Sequence, residues 1–171
     1  MKKWLIPAVM LSALSFSSRA ADYSIKGMEI GAGVEAFKDS YDCSPGKEGL
    51  LRCYQGPAKF TVGGEKLNSV LIKFGIDEKA EVITFSFEPD SFPGIRDAIT
   101  QKYPKIKCAK GEVKTLMGVA FPSESCIGMT TDERIELDKY GSSIDSGLVM
   151  IIKNSVIDQS VSKRQKSRSD I

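Results

Sequence analysis

The chain has no histidine, no Cys-x-x-Cys pair, no Asn-x-Ser/Thr sequon and no run of eighteen apolar residues. Each absence excludes something. Without histidine there is no Ser-His-Asp or Cys-His nucleophile and no His-containing metal site. Without Cys-x-x-Cys at a helix start, the commonest thiol redox arrangement is missing. Crossing a bilayer core of about 30 Å takes about eighteen or more apolar residues. The longest apolar run, Trp4 to Phe16, has thirteen. The missing sequon is compatible with a bacterial envelope protein.

That run has the setting of a secretory signal instead. Lys2 and Lys3 precede it and Ser18-Arg19-Ala20 follows it, a small-x-small cleavage pattern. Cleavage before Ala21 removes 20 of 171 residues and leaves 151, enough for one domain with a real core. The first cysteine is Cys43, far from the cleavage point, so no residue there can accept a lipid. The mature chain therefore reads as a soluble periplasmic protein and not a lipoprotein. Losing Lys2, Lys3 and Arg19 leaves 21 basic residues against 22 acidic ones, so the precursor's positive charge is no argument for nucleic-acid binding. Residues 161–171 carry Lys163, Arg164, Lys166 and Arg168 against Asp170, and read as a polar, frayed tail. The body, 21–160, is acidic and reads as one domain.

Four cysteines in an exported chain of this size suggest two disulfides, for which three connectivities exist. Local pairing, Cys43–Cys53 and Cys108–Cys126, closes loops of ten and eighteen residues. Loop-closure entropy gives about 3 kcal/mol for each. Cysteines so engaged offer neither thiol nucleophiles nor thiolate metal ligands.

Hydrophobic periodicity then orders the elements. Ile25 to Ile30 is a short extended lead-in, and Val34, Phe37 and Tyr41 are spaced as on a short helix over 33–41. Extended pieces follow around Leu50-Leu51 and Ala58 to Val62, with Gly63-Gly64 as a hairpin signal. Val70, Ile72 and Phe74 alternate with Ser69, Leu71 and Lys73, and Ile83, Phe85 and Phe87 alternate with Val82, Thr84 and Ser86. These two strands form the clearest hairpin. A second helix carries Phe92, Ile95, Ile99 and Tyr103, with Asp90 or Ser91 available as its cap and Pro104 as its stop. Val113, Thr115, Met117 and Val119 alternate as a strand; shorter strands follow at Ile127 to Met129 and Arg134 to Lys139. Leu148 to Lys153 is apolar on both faces, as a central strand would be. The expected fold is α+β: an antiparallel sheet of about six to eight strands with two main helices on one face.

The two halves, 21–88 and 89–160, run alike. Phe37-x-x-x-Tyr41-x-Cys43 with Cys53 is matched by Ile99-x-x-x-Tyr103 with Cys108 and Cys126, and Phe37 to Ile99 and Tyr41 to Tyr103 share an offset of 62. Two tandem units, each a helical segment with one local disulfide and an antiparallel meander, resemble beta-lactamase inhibitory proteins and envelope modules of the BamE/SmpA type. The resemblance covers most of the mature chain. It implies helices on one face of a sheet and a sheet or loop surface that binds other proteins.

Little is left for an enzyme. Glu88 and Asp90 flank Pro89, and Glu133, Glu136 and Asp138 lie on one strand; a carboxylate pair of this kind could serve an envelope hydrolase. Glu136 and Asp138 alternate against Ile135 and Leu137, which is the pattern of a solvated sheet face, and Asp90 suits a cap. Gly31-Ala32-Gly33-Val34-Glu35-Ala36 matches a dinucleotide fingerprint in letters only, because that motif needs a parallel strand–helix–strand unit. Tyr54, Met117, Phe121 and Met129 are candidate anchors for a partner, with core packing as the plainer reading. No catalytic residue, cofactor or metal is assigned. The expectation is a non-enzymatic periplasmic module that binds another envelope protein, of inhibitor, immunity or assembly type.

Overall fold

Alternation of apolar side chains decides the middle of the molecule, and two disulfides hold its margins. The structure, a computed structural model, describes residues 23–46 and 49–159. The expected signal peptide over 1–20 and the basic tail over 161–171 lie outside the described residues. The chain opens with a two-residue ribbon, β1 (Ser24–Ile25) and β2 (Met28–Glu29), followed by a 3-10 turn at Val34–Ala36. β3 (Asp42–Pro45) and β4 (Leu51–Gln55) form the first disulfide hairpin. A second ribbon, β5 (Thr61–Val62) and β6 (Glu65–Lys66), leads into β7 (Ser69–Phe74) and β8 (Ala80–Phe87). Helix α1 (Phe92–Lys102) precedes β9 (Lys107–Lys114) and β10 (Ala120–Met129), the second disulfide hairpin. β11 (Glu133–Ser143) and β12 (Ser146–Lys153) end the sheet, and residues 154–159 are helical.

Eight strands make one antiparallel sheet in the order β3-β4-β7-β8-β12-β11-β10-β9. Each half of the chain contributes a four-strand meander, and the two meet where β8 pairs with β12. Each disulfide joins directly opposed residues of an outermost hairpin, Cys43 to Cys53 and Cys108 to Cys126. One sheet face is closed. On it, Val70, Ile72, Ile83, Phe85, Phe87, Val149 and Ile151 are fully buried or nearly so. Phe92, Ile95 and Ile99 of α1 cover them, together with Tyr23, Ile25 and Met28 from the first ribbon and Val62 and Leu67 around the second. Two glycines permit the closest approaches. Gly147 lies opposite Phe87, and a Cβ there would stand 2.1 Å from that ring. Gly63, at φ +62, brings the second ribbon against the carbonyl of Gly94 in α1, where a Cβ would lie 2.2 Å from the oxygen.

The expectation of an α+β fold with two main helices is wrong: the described residues are mostly strand, and among them the helix packed against the sheet is α1. The segment over 33–41 makes one three-residue 3-10 turn and then bends on to Tyr41. Its apolar spacing is real, since Val34 and Phe37 are buried and Phe37 packs edge-on to Tyr41 and Phe74. Length defeats it. Gly33 is bridged to Lys79 on one side and Asp42 must be extended for β3 on the other, leaving about two turns, below what a helix needs to be stable by itself. α1 succeeds because Pro93 is tolerated in its first turn, three buried side chains anchor it, and Pro104 follows its last hydrogen bond, Tyr103 N–H to the Ile99 carbonyl. Neither Asp90 nor Ser91 caps it through a side chain. A 3-10 turn at Pro89–Ser91 feeds it instead, with the Ser91 N–H bonded to the Glu88 carbonyl.

The expected strand over Val113–Val119 is also cut short, because residues 115–119 are the turn of the β9–β10 hairpin. β3, β9 and most of β10 carry too few apolar residues to announce themselves. Pairing to an already formed neighbour and the cross-strand disulfides make them strands.

Candidate functional site

The second face of the sheet is built by the residues that alternate with the core. Across the six strands from β4 to β10, Tyr54, Leu71, Thr84, Met150, Glu136 and Ile127 stand side by side, one per strand. Asp42 on β3 and Lys107 on β9 extend the row to both edges. Eight strands at roughly 4.8 Å spacing make this row about 34 Å wide. The next row runs Arg52, Lys73, Val82, Ile152, Arg134 and Met129. On the other side lie Ser69, Ser86, Leu148, Asp138 and Ser125. The face is thus an apolar band with charges set into it.

Apart from Val82, which is buried, exposure separates this face from the core. Tyr54, Ile127 and Met129 are 46, 42 and 61 % exposed, whereas Ile83 and Phe85, one residue from Thr84 on either side, are at 0 %. Leu71, Thr84, Leu148, Met150 and Ile152 are half-buried, in part by the strands beside them. The charges are partly neutralised in place: Arg134 Nε lies 2.6 Å from Glu136 Oε1. Half-exposed pairs of this kind add about 0–1 kcal/mol to stability, and their larger effect is to pattern the surface.

The acidic candidates do not converge. Glu88 and Asp90 are exposed at the end of β8 and in the turn before α1. Glu136 and Asp138 sit on the second face, opposite Ile135 and Leu137 as their alternation requires. Glu133 goes the other way: it is 5 % exposed, and its carboxylate accepts the N–H of Tyr23 at 2.8 Å. It anchors the first ribbon. Tyr23 packs edge-on to Tyr103, whose hydroxyl bonds to the carbonyl of Ser24. Burial, and then the Glu133 charge and Tyr103, push the Tyr23 phenol above its ordinary pKa.

A cleft of about 320 Å³ beside Asp90 also takes in Arg96, Lys110, Glu124 and Lys139. Its two carboxylates are not a catalytic pair, because Arg96 Nη1 holds Glu124 at 3.2 Å and three cations surround them. Cys108, Glu124 and Cys126 have the spacing of metal ligands. Both sulfurs are spent in the disulfide, so the group lacks the thiolates a metal would need. The glycine-rich stretch over 31–36 ends in the 3-10 turn, with no helix to receive a phosphate.

No family model, curated protein or solved structure matches the chain.

The candidate anchors divide between two places. Tyr54 and Met129 belong to the second face, near its two flanks. Met117 is at the tip of the β9–β10 hairpin, and Phe121 is half-buried on that hairpin against Tyr140, with ring centroids 6.3 Å apart. Reasoning from sequence missed Leu71, Met150 and Ile127. The signal was present in the second apolar set of β12 and in Leu71, which breaks the polar side of an otherwise clean alternation.

Proposed function

We propose that this is an exported, non-enzymatic binding module of the periplasm that holds another envelope protein on the second face of its sheet. One observation carries the reading: α1, the 3-10 turn at Val34–Ala36 and both ribbons are gathered on one face, while the other presents the apolar band of Tyr54, Leu71, Met150 and Ile127 set with charges. A patch about 34 Å wide and five residues long projects to roughly 600 Å², on the scale of one side of a standard protein interface, about 800 Å². Leu71 and Met150 at its centre, Tyr54 and Met129 nearer its flanks and charges at intervals suit a specific protein partner.

Two further observations support the reading. The disulfides at both margins suit an oxidising, exported compartment, and no described helix is long and apolar enough to cross a membrane.

The test uses the exported protein and its Met150→Lys variant as baits on an envelope extract. A stoichiometric protein retained by the first and lost from the second is expected. A partner held equally by both, or turnover of a cell-wall polymer with no partner, refutes the reading.

A further inference from the structure

We propose that the β9–β10 hairpin is an arm that lays its tip into the surface of an anionic phospholipid bilayer. β10 pairs with β11 only from Ser125 to Met129, whereas its pairing with β9 continues from Glu124↔Lys110 to Ala120↔Lys114. Five paired rows thus run past the last row joined to β11, about 17 Å at roughly 3.3 Å per residue. At the end of the arm, Leu116 and Met117 are 109 and 92 % exposed and Val119 is 54 % exposed. Three large apolar side chains in four residues meet water together. Scattered exposed apolar residues need no explanation, but a cluster at the end of a projecting arm does.

The chemistry of the tip suits a bilayer surface. Part of its backbone is already used: the Thr115 N–H donates to the Val119 carbonyl at 2.9 Å and the Gly118 N–H to the Thr115 carbonyl at 2.9 Å. The Val119 N–H donates to Thr115 Oγ1 at 3.1 Å. Hydrocarbon offers no hydrogen-bond partner, so a tip closed by these internal bonds lies at the interface, with its apolar side chains toward the acyl chains and the Leu116 and Met117 peptide groups at headgroup level.

Below the tip the order of side chains is that of a membrane interface. Lys114 follows at the base of the turn, then the Phe121–Tyr140 ring pair, with Lys139 Nζ 5.2 Å from the Tyr140 centroid. Aromatic rings and lysine ammonium groups sit at headgroup level, under an apolar segment that reaches the acyl chains. On the arm Lys110 and Lys114 are balanced by Glu112 and Glu124, and Glu124 is held by Arg96, so the attraction to anionic lipid is modest and salt-sensitive. The arm is separate from the sheet-face row, so either site can fail without the other.

The experiment places a reporter at the tip of the exported protein with Leu116→Trp; the chain's one tryptophan, Trp4, lies in the expected signal peptide, so the protein from Ala21 onward without the substitution supplies a tryptophan-free background. Vesicles of equal parts phosphatidylglycerol and phosphatidylcholine should shift the new emission to the blue and allow brominated acyl chains to quench it. Vesicles of phosphatidylcholine alone should do so weakly. Met117→Asp, at a side chain that packs on nothing, should leave the circular dichroism unchanged and weaken cosedimentation with the mixed vesicles by roughly tenfold or more. An emission that ignores the vesicles, or undiminished binding by Met117→Asp, overturns the proposal. So does a crosslink from position 116 to an envelope protein without vesicle binding, which would make the tip a protein-docking loop.

Discussion

Truncating Phe85 to alanine tests the two-faced sheet at its centre. Phe85 is wholly buried, stands between Val70 of β7 and Val149 of β12, and packs edge-on to Phe60 with centroids 6.0 Å apart. Removing the ring forfeits its transfer energy and leaves a cavity that two paired strands cannot close, a loss of about 3–5 kcal/mol. Thr84, its neighbour along β8, faces the other way between Leu71 and Met150 and is half-buried. Thr84→Ala should cost well under 1.5 kcal/mol. With a urea m-value of about 2 kcal/mol/M, Phe85→Ala should lower the unfolding midpoint by roughly 1.5–2.5 M and Thr84→Ala by less than about 0.7 M. Thermal midpoints should separate in the same order, by about 2–4 °C for each kcal/mol. Equal losses would mean that the second face is packed as tightly as the first. The binding surface proposed for it would then not exist.

Three more outcomes follow from the same contacts. Non-reducing peptide mapping should recover Cys43 joined to Cys53 and Cys108 to Cys126, and replacing either pair with serine should cost about 3 kcal/mol from loop closure; a bridge between the halves would break the two-meander architecture. Glu133→Ala should leave the Tyr23 N–H without its buried acceptor and cost about 1–3 kcal/mol, with faster amide exchange at Ser24 to Glu29; unchanged exchange there would remove Glu133 as the anchor. Burial raises the phenol pKa of both Tyr23 and Tyr41, so folding favours their neutral forms. Their contribution should be complete below the unfolded value of about 10 and drain away as pH rises through it toward the folded pKa. Absorbance titration of the folded protein should show two late-ionising tyrosines, and ionisation of every tyrosine near 10 before unfolding would contradict this.

Local chemistry in the sequence was enough for the core hairpin. In β7 and β8 the period-two alternation places Val70, Ile72, Phe74, Ile83, Phe85 and Phe87 inside, and no tertiary information is needed to see it. The same holds for α1, with apolar residues at helical spacing and a proline at each end, and for the centrality of β12, apolar on both sides. Close spacing along the chain favoured the two local disulfide pairs, and the opposed strands provide the geometry for them.

Tertiary structure decided the rest, for three physical reasons. Val34, Phe37 and Tyr41 have helical spacing, but the Gly33–Lys79 bridge and the extended β3 leave the segment too short to propagate a helix. Polar strands such as β9 and β10 are recruited by backbone hydrogen bonds and a cross-strand disulfide, neither of which leaves a mark in hydropathy. Finally, an alternating strand states that it has two faces but not which other strands continue them. Only the strand order places Tyr54, Leu71, Met150 and Ile127 in one row, although Tyr54 and Ile127 are 73 residues apart in the chain. The residues of the candidate site were visible one at a time, and their neighbourhood was set by the pairing of β8 with β12, where the two halves join into one sheet.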